Sequence, residues 1–256
     1  MSLRSIARGI ILDVKGVFAN PAPGIHILNG HRIALENPHP EIFREQLKQL
    51  SKYVRFIHFE EATRLIVENK TAVNEVLVAF SFDDGFEECY TQIAPVLEEF
   101  GTNAAFFINP NFASGNKEYI ECFTRNTVKT PAKVPMTWAQ IKELHERGHI
   151  IGAHTLDHYN INDDNVEELE RQIGVCKSVI EEQTGVPCIY FAFPFGRLEH
   201  ANSMSIDIAG KYYPYVFSQS DYKNYFSYNG RVINRRHFEP DWKIGHIKYF
   251  ISCNKR

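Results

Sequence analysis

The sequence has no basic arm. Its 256 residues carry 28 Lys and Arg against 31 Asp and Glu, for a formal net charge of −3, and the cations form no cluster. That argues against a nucleic-acid partner. Cysteine is sparse: Cys89, Cys122, Cys176, Cys188 and Cys253 are odd in number, and no pair stands at CxxC spacing. Reduced thiols fit that pattern better than a disulfide framework. No stretch approaches the ~20 apolar residues of a membrane span. The opening MSLRSIARGIILDVKG has only a short apolar run before Asp13 and Lys15, without the h-region and cleavage site of a signal peptide. The expectation is a cytoplasmic protein with no membrane span. A phosphate-cradling glycine loop, a GxSxG elbow, an internal repeat and a low-complexity linker are also missing.

What is present is an alternation of short β-rich runs with helical ones. Strands are expected at 54–59, 75–82, 104–109, 149–154, 188–193, 215–219 and 231–235. Thr137 and Gln140 have capping-box spacing, with Gly148 as a stop, and Gly185 ends a helical stretch from Asn165. A last helix fits 242–253. About seven strands separated by helices imply parallel pairing, in a barrel or a doubly wound sheet. The simplest organisation is one α/β domain spanning 1–256, with an N-terminal extension over 1–40 and a long, weakly periodic inserted loop over 110–135.

In such folds ligands collect at the C-terminal ends of the strands. Four expected strand ends carry unusual polar residues: Asp83-Asp84-Gly85, His154-Thr155-Leu156-Asp157-His158, Phe193-Pro194-Phe195-Gly196-Arg197 and Arg235-Arg236-His237. Two histidines four apart can share one metal ion on a helical turn, and Asp83 or Asp84 could supply a third ligand. HxxxH by itself reads as a surface turn; beside a strand ending in DDG it reads as an open, catalytic metal site. One aspartate would serve as a helix N-cap. Two, after so apolar a strand, suggest that one binds metal and the other takes a proton from water. Cys89 and Cys176 read as core thiols.

SFDDG, HTLDH and FAFPFG, in this order and at these separations, resemble the polysaccharide deacetylase family, the NodB-homology carbohydrate esterases. QIAPVLEEFG with TNAAFFIN, and HPEIFREQLKQLSKY with VRFIHFEEA, are similar to its flanking stretches, so the resemblance covers roughly residues 26–210. It implies a distorted, incomplete (β/α)7 barrel. It also implies a divalent metal, Zn²⁺ in the first instance, held by Asp84, His154 and His158. Asp83 would be the base, and Thr155 a support for the ligands. The reaction would be hydrolysis of an N-acetyl group on an amino sugar, with the oxyanion received by the metal and the Phe195 N–H. Cytoplasmic members of this kind serve bacterial O-antigen or capsule biosynthesis.

Two departures stand out. Many members carry an Arg that orients the base two residues before the third motif's Pro; here that position is Ala192. Arg235, Arg236 or Arg197 is left to replace it, with Arg197 also placed near the substrate. No clean match exists for the family's acid histidine, so His237 is the first candidate and His246 the second. Other readings are a related C–N hydrolase acting on another amide or formyl group, and a glycan-binding relative without catalysis. A further reading is a phosphatase, because ILDVKGV is faintly similar to the DxDG pattern of haloacid dehalogenases, with Lys15 in place of the second Asp.

Overall fold

The computed structural model describes residues 12 and 14–256; Asp13, on which the phosphatase reading turns, lies outside them. The elements run β1 (Gly24–Gly30), α1 (Pro40–Leu50), β2 (Arg55–Phe56), α2 (Phe59–Val67), β3 (Val76–Phe82), α3 (Ala94–Glu99) and β4 (Ala104–Ile108). Then come α4 (Pro110–Ala113), α5 (Lys117–Cys122), α6 (Trp138–Glu146), β5 (Ile150–Ala153), α7 (Val166–Glu170), α8 (Cys176–Thr184) and β6 (Tyr190–Ala192). The chain ends with α9 (Ser203–Tyr212), β7 (Tyr215–Ser218), β8 (Phe226–Ser227), β9 (Val232–Asn234), β10 (Arg236–His237) and α10 (Ile244–Phe250). Single π-helical turns at Cys89–Ile93, Phe123–Thr127 and Arg171–Val175 abut α3, α5 and α7–α8.

The sheet order is β10-β1-β3-β4-β5-β6-β7-β9-β8, with β2 attached to β3. Every pairing is parallel except β8 with β9. β9 and β10 are two halves of one stretch, separated only by Arg235. β9 holds the β7 edge through Ser218 and Asn234, while β10 holds the β1 edge through Leu28 and Arg236. Pairing therefore runs round seven strand positions and closes through this short seam, as a distorted, incomplete (β/α)7 barrel.

The seventh position is not the one expected. The run 54–59 supplies only the two-residue β2, because α2 already begins at Phe59. The place is taken by β1, which lies inside the stretch read as an extension, is buried along its length and pairs with the whole of β3. The boundary at residue 40 therefore cuts through the barrel. The stretch 110–135 also differs from expectation: α4, α5 and the π-turn after it make its first half helical. Short segments with a π-turn between them do not keep the 3.6-residue period that marks a helix in sequence.

Side chains alternate across each strand. From β1, β3, β4, β7 and β9, Ile25, Ile27, Leu77, Ala79, Ala105, Phe107, Phe217 and Ile233 form one buried cluster, on which Ala62 and Ile66 of α2 also pack. Phe59 packs its ring on Phe107, Tyr190 and Phe217. The other faces of the strands meet the helices; Phe43 of α1 lies edge-on to Phe80 and Phe82. Each fully buried Phe contributes about 1.5–3 kcal/mol, which fixes β3 and hence the residues at its end. Towards the C-terminal ends of the strands, the face carrying the first cluster turns polar, with Asn29, Ser81, Asp83 and Arg235 all buried. The capping box of α6 and the left-handed Gly185 after α8 (φ +72°) stand where expected. The cysteines are free. Among the described residues no helix is long and apolar enough to cross a membrane.

Candidate active site

A cavity of about 540 Å³ opens at this polar end, with Asp83, Asp84, His154, His158, Phe195, His237, His31 and Glu239 in its lining. β3 carries Ser81 and Asp83 on the same face. Asp84 would point the opposite way on an extended chain, but it and Gly85 both adopt left-handed backbone (φ +75° and +79°), which turns Asp84 into the same cavity. Thr155, His158 and Phe195 also have positive φ. Such conformations cost energy, and they gather where a site needs side chains aimed.

Asp84, His154 and His158 are all buried, and one ligand atom from each lies within 4.8 Å of the others. His154 Nδ1 is 2.7 Å from the Ala192 carbonyl. A carbonyl only accepts, so this nitrogen carries the proton and Nε2 presents a lone pair. That Nε2 lies 3.6 Å from Asp84 Oδ1, and His158 Nε2 lies 3.5 Å from the same oxygen. Asp84 Oδ1 is buried, with no hydrogen-bond partner among the described residues. Burial pushes the Asp84 carboxyl up to about 7, with Asp83 and Glu239 adding to the effect and His31 opposing it. Burial likewise lowers His154 to about 4 and takes His158 well below its usual value. An orphaned carboxylate oxygen facing two neutral imidazoles is an arrangement that fits a divalent cation. Thr155 Oγ1 accepts from the Tyr159 N–H and so pins the turn between the two histidines. Asp157 accepts from Asn111, Tyr119 and Gln172, which docks α4 and α5 against that turn.

Asp83 is held differently. Arg235 Nη1 and Nη2 donate to its two oxygens, each at 2.9 Å, and Asn29 Nδ2 donates to Oδ2 at 3.0 Å. Burial opposes ionisation, but Arg235 and His154 hold this carboxyl well below the usual carboxylate range. Arg235 is fully buried, lies over the Phe107 ring at 4.8 Å, and donates also to the Ser218 carbonyl and Asn29 Oδ1. Of the three arginines left to replace the one missing at Ala192, it is Arg235 that meets Asp83. Arg197 is solvent-exposed, pairs with Glu199 and lies outside the residues that line the cavity. Phe195 is on the wall, half exposed, with its ring 4.7 Å from that of His158.

His237 lines the cavity, while His246 sits on α10 away from its wall. Burial and the neighbouring His31 lower His237 to about 4, so it carries no proton to give near neutrality. His31, which the sequence analysis passed over, does. Its Nδ1 lies 2.8 Å from Glu239 Oε1. Burial works against charge on His31, but Glu239, Asp84 and Asp83 raise it to about 9. His31 directly follows β1, so the strand-end reasoning that found Asp83 would have reached it had GIHILNG been read as a strand.

Residues 70–212, more than half of the chain, match the family model described as polysaccharide deacetylase. The chain belongs to the polysaccharide deacetylase family. YxkH of Bacillus subtilis, which carries a polysaccharide deacetylase name, is 23% identical over 179 residues, 67% of this chain and 56% of that protein. A peptidoglycan-N-acetylglucosamine deacetylase of Bacillus cereus is 26% identical over 118 residues, 46% of each. The chain thus spans about half the length of the curated relatives it matches. Among solved structures, IcaB from Ammonifex degensii superposes with a TM-score of 0.71 at 21% identity, covering 91% of this chain and 99% of that one. Streptococcus pyogenes PplD, in complex with acetate, gives 0.65 at 19%, with 89% and 97% covered. At these identities the likeness is one of fold.

Proposed function

We propose that this protein is a metal-dependent deacetylase that hydrolyses the N-acetyl group of an amino sugar in a bacterial surface polysaccharide, with O-antigen or capsule as the pathway. Asp84, His154 and His158 hold the cation, and two imidazoles with one carboxylate favour Zn²⁺. When bound there, a divalent cation supplies Lewis acidity, polarising an amide carbonyl and acidifying water, which a base as weak as Asp83 requires. Asp83 stays ionised in the grip of Arg235 and accepts the proton of the attacking water. The Phe195 N–H, from which nothing accepts among the described residues, donates to the developing oxyanion. His31 gives its proton to the leaving amine, and Glu239 keeps it protonated until then. Arg235 and Glu239 position the base and the acid without reaching the substrate. Phe195 and Trp242 offer apolar faces to a sugar ring at the cavity wall. Five free cysteines suit a reducing compartment, and we place the protein in the cytoplasm.

The observation that carries this reading is the orphaned Asp84 Oδ1, faced by two imidazoles and lying next to the Arg235-clamped Asp83. The test is metal content of dialysed protein together with acetate release from N-acetylglucosamine oligomers. One equivalent of divalent metal, removed with the activity by chelator and restored by Zn²⁺, supports it. Protein that takes up no metal would sink it. Glycan binding without acetate release would favour the non-catalytic relative.

A further inference from the structure

The cavity contains a second group of the same composition. His31, His237 and Glu239 each offer a ligand atom within 4.8 Å of the others. The seam sets their spacing. Asn29 pairs with His237 where β1 meets β10, and the Phe238 N–H donates to the Asn29 carbonyl at 2.9 Å. The rings of His31 and His237 therefore stand 5.4 Å apart, inclined at 57°. Glu239 is 5% exposed and is fixed from behind by the N–H groups of His31 (3.3 Å) and Arg32 (3.5 Å). Its Oε1 lies 2.8 Å from His31 Nδ1 and 3.9 Å from His237 Nε2. His237 Nδ1 has the Gln219 amide at 3.1 Å. Turning that amide over lets it accept from Nδ1–H, which leaves Nε2 as a lone pair aimed at Glu239. Such an outer partner is what a metal-ligating imidazole needs.

We propose that His31, His237 and Glu239 form a second divalent-cation site, alongside Asp84, His154 and His158 in one cavity, which fills when Zn²⁺ is in excess. Two imidazoles and a glutamate are a common zinc donor set. The two sites differ in what already occupies them. Among the described residues nothing donates to Asp84 Oδ1, so a cation has no hydrogen bond to break there. Between His31 and Glu239 a proton is already shared, and a cation must drive it out to solvent. The Arg32 guanidinium, 3.5 Å from the same Glu239 oxygen, opposes a second positive charge. The His31 site is therefore the weaker and fills second. Filling it takes away the proton that His31 would give to a leaving amine, so zinc in excess inhibits. This last step rests on the function proposed above; the binding itself does not.

Equilibrium dialysis of the full chain against stepped Zn²⁺, with metal per chain read by mass spectrometry, tests the site. Wild type should take up two equivalents in two steps. Glu239→Gln and His237→Gln should each keep the first and weaken the second by about tenfold or more. Asp84→Asn should lose the first step and keep the second. His237 has about a third of its side chain exposed and is the safer substitution; should Glu239→Gln fail to fold, His237→Gln decides alone. Saturation at one equivalent would overturn the proposal, as would a second equivalent indifferent to His237→Gln. Across the same range, acetate release by wild type should fall about tenfold while that of His237→Gln holds its own starting rate. Two equivalents with these dependences support the site even in protein that releases no acetate, so its failure and that of the deacetylase reading are told apart.

Discussion

The cavity contains two trios made from the same parts, two histidines and one carboxylate, and their charge states are opposite. In the Asp84 trio the carboxyl is pushed up and both imidazoles down. In the Glu239 trio the carboxyl is held low, against its burial, and one imidazole, His31, is raised. Both carboxyls are buried, so burial alone does not explain their opposite shifts; the hydrogen bonds do. His154 spends its N–H on the Ala192 carbonyl and shows Asp84 only a lone pair. Glu239 receives two backbone N–H groups and the His31 ring at 2.8 Å. The same residue types thus make a socket for a cation in one place and a holder for a proton in the other. Where a neighbouring donor points decides which.

The largest break in this comparison is removal of the socket. His158→Ala should leave no bound metal after dialysis and bring acetate release to background. Next is the base. Asp83→Asn should retain metal yet lower kcat by about 10²–10⁴-fold. Because it leaves Arg235 buried without its counter-charge, it should also cost about 3–5 kcal/mol of stability in denaturant titrations. Then the proton holder: His31→Gln should lower kcat by about 10²-fold or more, whereas His237→Gln should not. Wild-type activity should fall on the alkaline side as His31 loses its proton. Glu239→Gln should move that limb to lower pH, since the carboxylate is what raises His31.

The proton holder should also show in the stability of chelator-treated protein. His31, raised to about 9, contributes stability that is complete below its ordinary value of 6.5 and is lost as pH rises towards 9. The shift corresponds to about 3 kcal/mol, and above pH 7 the other shifted groups of the two trios have already titrated. Unfolding free energy should therefore fall between pH 7 and 9 in wild type and not in His31→Gln. An alkaline loss of the same size in both would break the comparison. Smallest of all, Arg197→Ala should leave kcat/KM within about twofold, as is usual for an exposed side chain away from the chemistry.

The socket was largely legible in the sequence because its ligands sit in two short motifs at strand ends, where spacing alone suggests convergence. Asp83 and Arg235 were legible as types, though their bidentate contact was not, since 152 positions separate them. His31 was passed over for a related reason. His31 and Glu239 are 208 positions apart, and neither stands in a motif. They meet only because β10 pairs with β1. That pairing was invisible while GIHILNG, bounded by glycines and interrupted by His26, passed for an extension. Inference from motifs recovers groups that are neighbours in the chain. It misses groups whose neighbourhood is created by the closure of the sheet.

That closure has a consequence for the order in which the protein becomes competent. Asp84, His154 and His158 are contributed by β3 and by the turn after β5, well before the seam in the chain. The residue that aims Asp83 is the one residue between β9 and β10, where the two edges of the sheet are joined. His237 and Glu239 follow directly behind it. A chain still open at that join could already bind its ion, but it would have an unaimed base and an acid without its proton keeper. Under the proposed function, the last stitch in the barrel is therefore also its safety catch, withholding hydrolysis until the architecture is complete.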